Sequence, residues 1–163
     1  MWNGNGAARL LRRDPSRRAL LIERITPGMD ISQLPEDEAT TIAVQVGMRL
    51  WQPAGSPFRN VLDHVPGWLD RADGAGRALV PLARSLLVGG TRASTLVHGD
   101  FHHHNILDGG GGRYIAIDAK PMLGEPEYDV FSFLRNPVGT VMSLDRTEKR
   151  LAAFAAAGLG PDS

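Results

Sequence analysis

The densest run of groups able to do chemistry is His98-Gly99-Asp100-Phe101-His102-His103-His104-Asn105, set between two apolar stretches. Thirteen residues past Asn105, at the exit of the apolar run 114–117, stands Asp118. Two carboxylates and a carboxamide at strand ends make a hard-oxygen donor set. Mg2+ takes one or two such carboxylates and fills its other positions with water and phosphate. Strand-end loops are also where a rigid scaffold aims catalytic groups. If Asn105 and Asp118 hold the metal, Asp100 is left to accept a proton from an attacking hydroxyl. Phosphoryl transfer from ATP needs that pairing of a base with a phosphate-bridging Mg2+.

The neighbouring residues carry plainer readings. Three consecutive histidines invite zinc, but successive side chains on regular backbone face apart, so His102, His103 and His104 cannot all point at one ion. His102 is expected to support the loop, His98 to brace it, and His64 to lie at the surface. Lys120 either contacts phosphate or a carboxylate, or forms a structural ion pair. Glu125 and Glu127 either face a cationic acceptor or form the polar side of a loop. The glycine run 109–112 precedes no Gly-Lys-Ser/Thr helix opening, so it reads as a hairpin turn, not a phosphate cradle.

The elements that must position these groups follow from periodicity and breakers. Residues 7–13 (a strand or a helical turn) and the apolar run 19–25, joined by the turn at Asp14-Pro15-Ser16, look together like a β-hairpin. After Pro35, three acids open a helix whose stripe Ala39, Ile42, Ala43, Val46 and Leu50 ends near Trp51. Residues 61–71 and 75–88 predict two further helices, the second ended by Gly89-Gly90. Short strands are expected at 95–97, 105–107 and 114–117, a helix from Asp129 through Leu134, and a last helix over 147–157 with a core-facing stripe. Trp2, Trp51 and Trp68 read as packing residues.

Composition narrows the classes. The 163 residues suit one domain, and 18 Lys+Arg balance 18 Asp+Glu. That balance argues against a nucleic-acid partner and against a membrane surface. No cysteine is present, which excludes disulfides and thiolate chemistry and points to a reducing compartment. With neither a signal-like start nor an apolar run near 20 residues, the chain reads as cytoplasmic.

The segment Leu96-Val97-His98-Gly99-Asp100 through Asn105-Ile106-Leu107 resembles the catalytic loop of the aminoglycoside phosphotransferase family. The runs Ala116-Ile117-Asp118-Ala119-Lys120-Pro121, Gly124-Glu125-Pro126-Glu127-Tyr128-Asp129 and Leu134-Arg135-Asn136-Pro137 narrow the likeness. They resemble the streptomycin 6-kinase group, the aminoglycoside/hydroxyurea antibiotic resistance kinases. The resemblance implies an α+β, protein-kinase-like fold: a mainly helical C-lobe over 29–163 with catalytic β-hairpins, and a remnant of the N-lobe sheet and hinge over 1–28. It implies ATP and Mg2+ as cofactors, and O-phosphorylation of a streptomycin-like small molecule, giving antibiotic resistance. Asp100 would be the catalytic base, Asn105 and Asp118 the metal ligands, and Asp129 a brace for the loop. Glu23 and Ile25 would belong to the hinge under the adenine.

Kinases of this kind clamp ATP phosphates with a glycine-rich loop and a strand lysine. No lysine precedes Lys120, and no Gly-x-Gly-x-x-Gly precedes the hinge. The expectation is therefore a fragment or shortened chain with weak or no activity alone, able to self-associate through the surface left exposed. Two other readings stand beside it: an Asp/His metal-dependent hydrolase, and a non-catalytic binding or assembly fragment.

Overall fold

The computed structural model describes residues 1–88, 94–139, 141 and 143–159, so the expected helix end at Gly89-Gly90 lies outside the described residues. The first hairpin pairs β1 (Leu10–Asp14) with β2 (Ala19–Ile22) in antiparallel register. Asp14 closes its turn, its Oδ1 accepting from Ser16 Oγ at 2.6 Å and from the Arg17 amide at 3.1 Å. From β2 the chain crosses residues 23–30 to α1 (Glu36–Leu50).

Helix α1 forms as its pattern predicts. Glu36, Asp37 and Glu38 meet the positive end of the helix, and the whole stripe Ala39, Ile42, Ala43, Val46 and Leu50 is buried. Gly47 has a local reason: a Cβ there would lie 2.4 Å from the Trp51 ring. Only glycine lets that indole fold back across the last turn.

After α1 comes the short strand β3 (Gln52–Pro53). The next stretch differs from the two long helices expected. It contains a 3-10 turn at Val61–Asp63, α2 (Val65–Asp70), a second 3-10 turn at Gly74–Leu79, and α3 (Val80–Val88). Proline explains the breaks. Pro66 and Pro81 each stand second in their helix, where a missing N–H is harmless, whereas each would disrupt a helix running through it.

The remaining strands are β4 (Thr95–Val97), β5 (Ile106–Asp108), β6 (Tyr114–Ala116) and β7 (Met122–Leu123). β4 lies between β3 and β7 in one antiparallel sheet, while β5 and β6 form a hairpin pairing Ile106 with Ala116 and Asp108 with Tyr114. Gly110, Gly111 and Gly112 all have positive φ in the turn of that hairpin, which is the role their run predicts. Flanking segments extend it on both sides: Ala7 bridges Ala116, and Asp30 bridges Leu107.

Two helices close the fold, α4 (Glu127–Leu134) and α5 (Leu144–Ala156). α5 starts three residues earlier than its pattern suggests, because Ser143 Oγ caps it on the Arg146 amide at 3.2 Å. Its expected core stripe is also corrected: only Arg150 and Phe154 are buried, and Leu151 is 44% exposed. The core lies where α1, the β5–β6 hairpin, α4 and Phe154 meet, around Ile31, Val46, Leu50, Phe101, Ile106 and Phe133.

Candidate active site

The segment His98–Asn105 is held from below by a buried carboxylate. Asp129, in the first turn of α4, is fully buried; its Oδ2 accepts from the His98 amide at 2.7 Å and from Trp51 Nε1 at 2.9 Å. Its Oδ1 accepts from the Gly99 amide at 2.8 Å. A carboxylate taken from water survives only with such partners. Burial pushes its pKa up to about 6, against the opposing pull of those three donors.

His98 locks the other side. Its Nε2 lies 2.9 Å from the Ile117 carbonyl and its Nδ1 lies 3.3 Å from the Asp100 amide, which assigns Nε2–H as donor and Nδ1 as acceptor. Burial brings its pKa down to about 4, so the ring is neutral near pH 7. The Lys120 amide donates to the His98 carbonyl at 2.8 Å, zipping the segment after β6 onto the segment after β4. Gly99 permits this closeness: φ is +84°, and a Cβ would fall 2.0 Å from the Lys120 carbonyl oxygen.

On this frame sits Asp100. Lys120 Nζ donates to its Oδ2 at 2.5 Å, and His102 Nε2 lies 3.5 Å from its Oδ1. Burial raises the Asp100 pKa, but the Lys120 hydrogen bond and charge outweigh it and hold the carboxyl below its usual value. Lys120 is thus ion-paired with a carboxylate, an arrangement that both of its readings allow. Asn105, in the 3-10 turn before β5, donates from Nδ2 to the Asp100 carbonyl at 2.9 Å, leaving Oδ1 as its acceptor. Its carbonyl accepts from the Ile117 amide at 2.9 Å, so Asn105 and Asp118 leave the same end of the β5–β6 hairpin. Asp118 is exposed and has φ +54°, an uncommon conformation for a residue other than glycine. The backbone thus brings the segments carrying Asp100, Asn105 and Asp118 together.

Glu23 and Ile25 lie on the chain between β2 and residues 28–30, and only the latter are bonded to the other end of that hairpin. Glu23 is bound to Arg9, its amide donating to the Arg9 carbonyl at 2.9 Å and its carboxylate accepting from the Arg9 amide at 2.8 Å. Beyond Ile25, the Gly28 amide donates to the Asp108 carbonyl at 2.8 Å, and the Asp108 amide donates to the Met29 carbonyl at 2.8 Å. Three-residue β5 separates this crossing from Asn105 by about 10 Å.

One buried group escaped the sequence reading. Arg150 is 1% exposed; it pairs with Glu36 at the start of α1 and donates to the carbonyls of Phe133 and Leu134 at 3.0 Å and of Asn136 at 2.5 Å. Its Nη2 lies 3.3 Å from Nε2 of His103, which stacks on Phe133 with ring centroids 4.1 Å apart. His98 and His103 are therefore buried braces, and the half-buried His102 supports the loop as expected, its Nε2 lying 3.3 Å from Asn105 Nδ2 and 3.5 Å from Asp100 Oδ1. The only signal for Arg150 was a cation in phase with Phe154 on a short amphipathic helix, which ordinarily means a solvated residue.

The helical body, the small antiparallel sheets and the braced loop define the class, a protein-kinase-like α+β fold. A choline/ethanolamine kinase family protein from Mesorhizobium loti superposes with TM-score 0.63 at 19% identity, covering 92% of this chain and 56% of that one. The chain belongs to the aminoglycoside/hydroxyurea antibiotic resistance kinase family, whose pattern matches residues 1–161. It is 35% identical over 146 residues to a streptomycin 3''-kinase of Klebsiella pneumoniae, covering 83% of this chain and 53% of that protein. It is 31% identical over 152 residues to a hydroxyurea phosphotransferase of Kitasatospora aureofaciens, covering 83% and 44%. The chain thus spans about half the length of the curated relatives it matches. No helix among the described residues is long and apolar enough to cross a membrane.

Proposed function

We propose that this chain carries the base and the metal ligands for ATP-dependent phosphoryl transfer to a hydroxyl of a streptomycin-like aminoglycoside. The observation that carries the reading is the Asp129–His98–Gly99 brace, which holds the Asp100 carboxylate half-exposed where the end of β4 meets the β5–β6 hairpin, ion-paired with Lys120. In this reading Asp100 takes the proton from the acceptor hydroxyl as the hydroxyl oxygen bonds to the γ-phosphorus and the bond from that phosphorus to the bridging oxygen breaks, releasing ADP. Lys120 keeps Asp100 ionised and its carboxylate aimed, and it leaves cheaply because an exposed ion pair is worth at most about 1 kcal/mol.

The donor chemistry suits Mg2+: a carboxylate on Asp118 and the amide oxygen of Asn105, whose nitrogen is already engaged. Bound there, Mg2+ would neutralise charge on the nucleotide phosphates. In this reading Glu23 and Ile25 serve the adenine end of the nucleotide. The hydrolase alternative is left with His102 beside Asp100, since His98 and His103 are committed to bracing and His104 Nδ1 lies 3.1 Å from Asp30. Among the described residues no cluster of three or more His, Cys, Asp or Glu is arranged to hold a metal.

The test is transfer of labelled γ-phosphate from ATP to streptomycin in Mg2+. The unaltered chain is expected to transfer slowly, and Asp100→Asn to lower that rate by a further ~10² or more. A rate indifferent to Asp100→Asn contradicts the assignment.

A further inference from the structure

Asn105 is 8% exposed, so its side-chain donors need partners inside the fold. A carboxamide carries two N–H donors on Nδ2 and an acceptor at Oδ1, and turning it over exchanges them. The Asp100 carbonyl, 2.9 Å from Nδ2, selects one orientation, since the other would set two carbonyl oxygens face to face. That bond occupies one Nδ2 proton, and the second needs an acceptor of its own.

His102 supplies it. Its Nε2 lies 3.3 Å from Asn105 Nδ2. The same nitrogen is 3.5 Å from Asp100 Oδ1, whereas a ring N–H bonded to a carboxylate would stand at about 2.8 Å. With a donor already facing it, Nε2 is the acceptor and the ring proton is on Nδ1. Nδ1 is buried and has no protein partner among the described residues, so the Nε2 side alone sets the tautomer. His98 holds the reverse one, its Nε2–H donating to the Ile117 carbonyl. The backbone repeats the contact, because the His102 carbonyl accepts from the Asn105 amide at 2.9 Å. His102 therefore grips Asn105 at its main chain and at its side chain.

We propose that His102 is a positioning residue for the cation site: its Nε2 accepts the second Nδ2 proton of Asn105 and fixes the carboxamide so that Oδ1 is the atom left for the metal. One bond to Asp100 leaves the carboxamide plane free to swing about it; two bonds to the same nitrogen hold that plane. Contacts that orient a metal ligand in this way typically govern metal affinity by about 10–100-fold. The inference rests on the metal reading of Asn105 above.

The test pairs a tautomer measurement with a binding one. Nitrogen NMR of the imidazole rings, with His102→Phe to assign the signal, is expected to show His102 protonated at Nδ1 and His98 at Nε2. Calorimetric titration with ATP, with and without Mg2+, then compares three proteins. In His102→Phe, which keeps a ring and loses the acceptor, the affinity gained from Mg2+ should fall about 10-fold. His102→Gln, whose side-chain oxygen can stand in for Nε2, should keep that gain within a few-fold. ATP affinity without Mg2+ should be the same in all three, which a merely structural role for the ring would not give. A His102 ring protonated at Nε2, an Mg2+ gain that His102→Phe leaves intact, or an equal fall without Mg2+ overturns the inference and leaves the metal reading standing. An unaltered chain whose ATP affinity ignores Mg2+ overturns both.

Discussion

Two buried groups a few ångströms apart titrate in opposite senses. His98 is neutral in the fold with a pKa of about 4 against an ordinary 6.5, so the unfolded chain binds the extra proton in between. Its contribution is whole above pH 6.5 and is lost as pH falls toward 4, about 3 kcal/mol in all. Asp129, raised to about 6 from 3.8, takes up its proton earlier in the fold, so folding gains stability as pH falls through that window, by a similar amount. The two largely offset each other in the unaltered chain. Asp129→Asn removes one of them, so its stability should fall about 1 kcal/mol more steeply between pH 7 and pH 5. Urea unfolding of both proteins at the two pH values measures this, and parallel slopes would contradict it. At this scale the sequence was most legible: Asp100, Asn105 and Asp118 stand out as polar residues at strand exits, the family resemblance marked Asp129, and the fold brings their segments together. The Lys120 contact stayed open because sequence spacing does not say which of two nearby anions a flexible cation meets.

At the scale of elements, Arg150 joins four pieces: the start of α1 through Glu36, the end of α4 through three carbonyls, the 3-10 turn through His103, and its own helix α5. It satisfies carbonyls that α4 leaves open at its C-terminus and neutralises Glu36, whose pKa is drawn down by that hydrogen bond. Arg150→Met would keep the volume but strand those carbonyls and leave Glu36 without its closest cation. It should cost about 3–5 kcal/mol, read as a lowered urea midpoint. Loss of less than about 1 kcal/mol would show that the four elements hold together without it. The elements themselves were unevenly legible. α1 has fifteen residues, three acids at its start and an unbroken apolar stripe, so local and tertiary preferences agree. β3 and β7 have two residues each and no pattern of their own; they exist because β4 lies between them. The stripe of α5 misled because an arginine took the place in the core that a periodic reading gives to leucine.

Across the whole molecule, the segments carrying Asp100, Asn105 and Asp118 meet at one end of the β5–β6 hairpin, and residues 28–30 cross its other end. The β1–β2 hairpin turns Leu10, Leu11, Leu20 and Leu21 outward, each about half exposed or more. This apolar surface was visible in the sequence only as a strand-like run, since which face it shows depends on what packs against it. A cavity beside Asp100, lined by Trp68 and Tyr128, was not legible at all: the two are sixty residues apart in sequence and meet only through the fold. Asn105 and Asp118 are proposed to hold a divalent cation for a nucleotide that Asp100 serves. Titrating a fluorescent ATP analogue into the chain with and without Mg2+ tests it most directly. Mg2+ should tighten binding, and Asp118→Asn and Asn105→Ala should each abolish most of that gain, weakening Mg2+-dependent affinity at least 10-fold. Nucleotide binding that ignores Mg2+, or that both substitutions leave unchanged, would contradict the account.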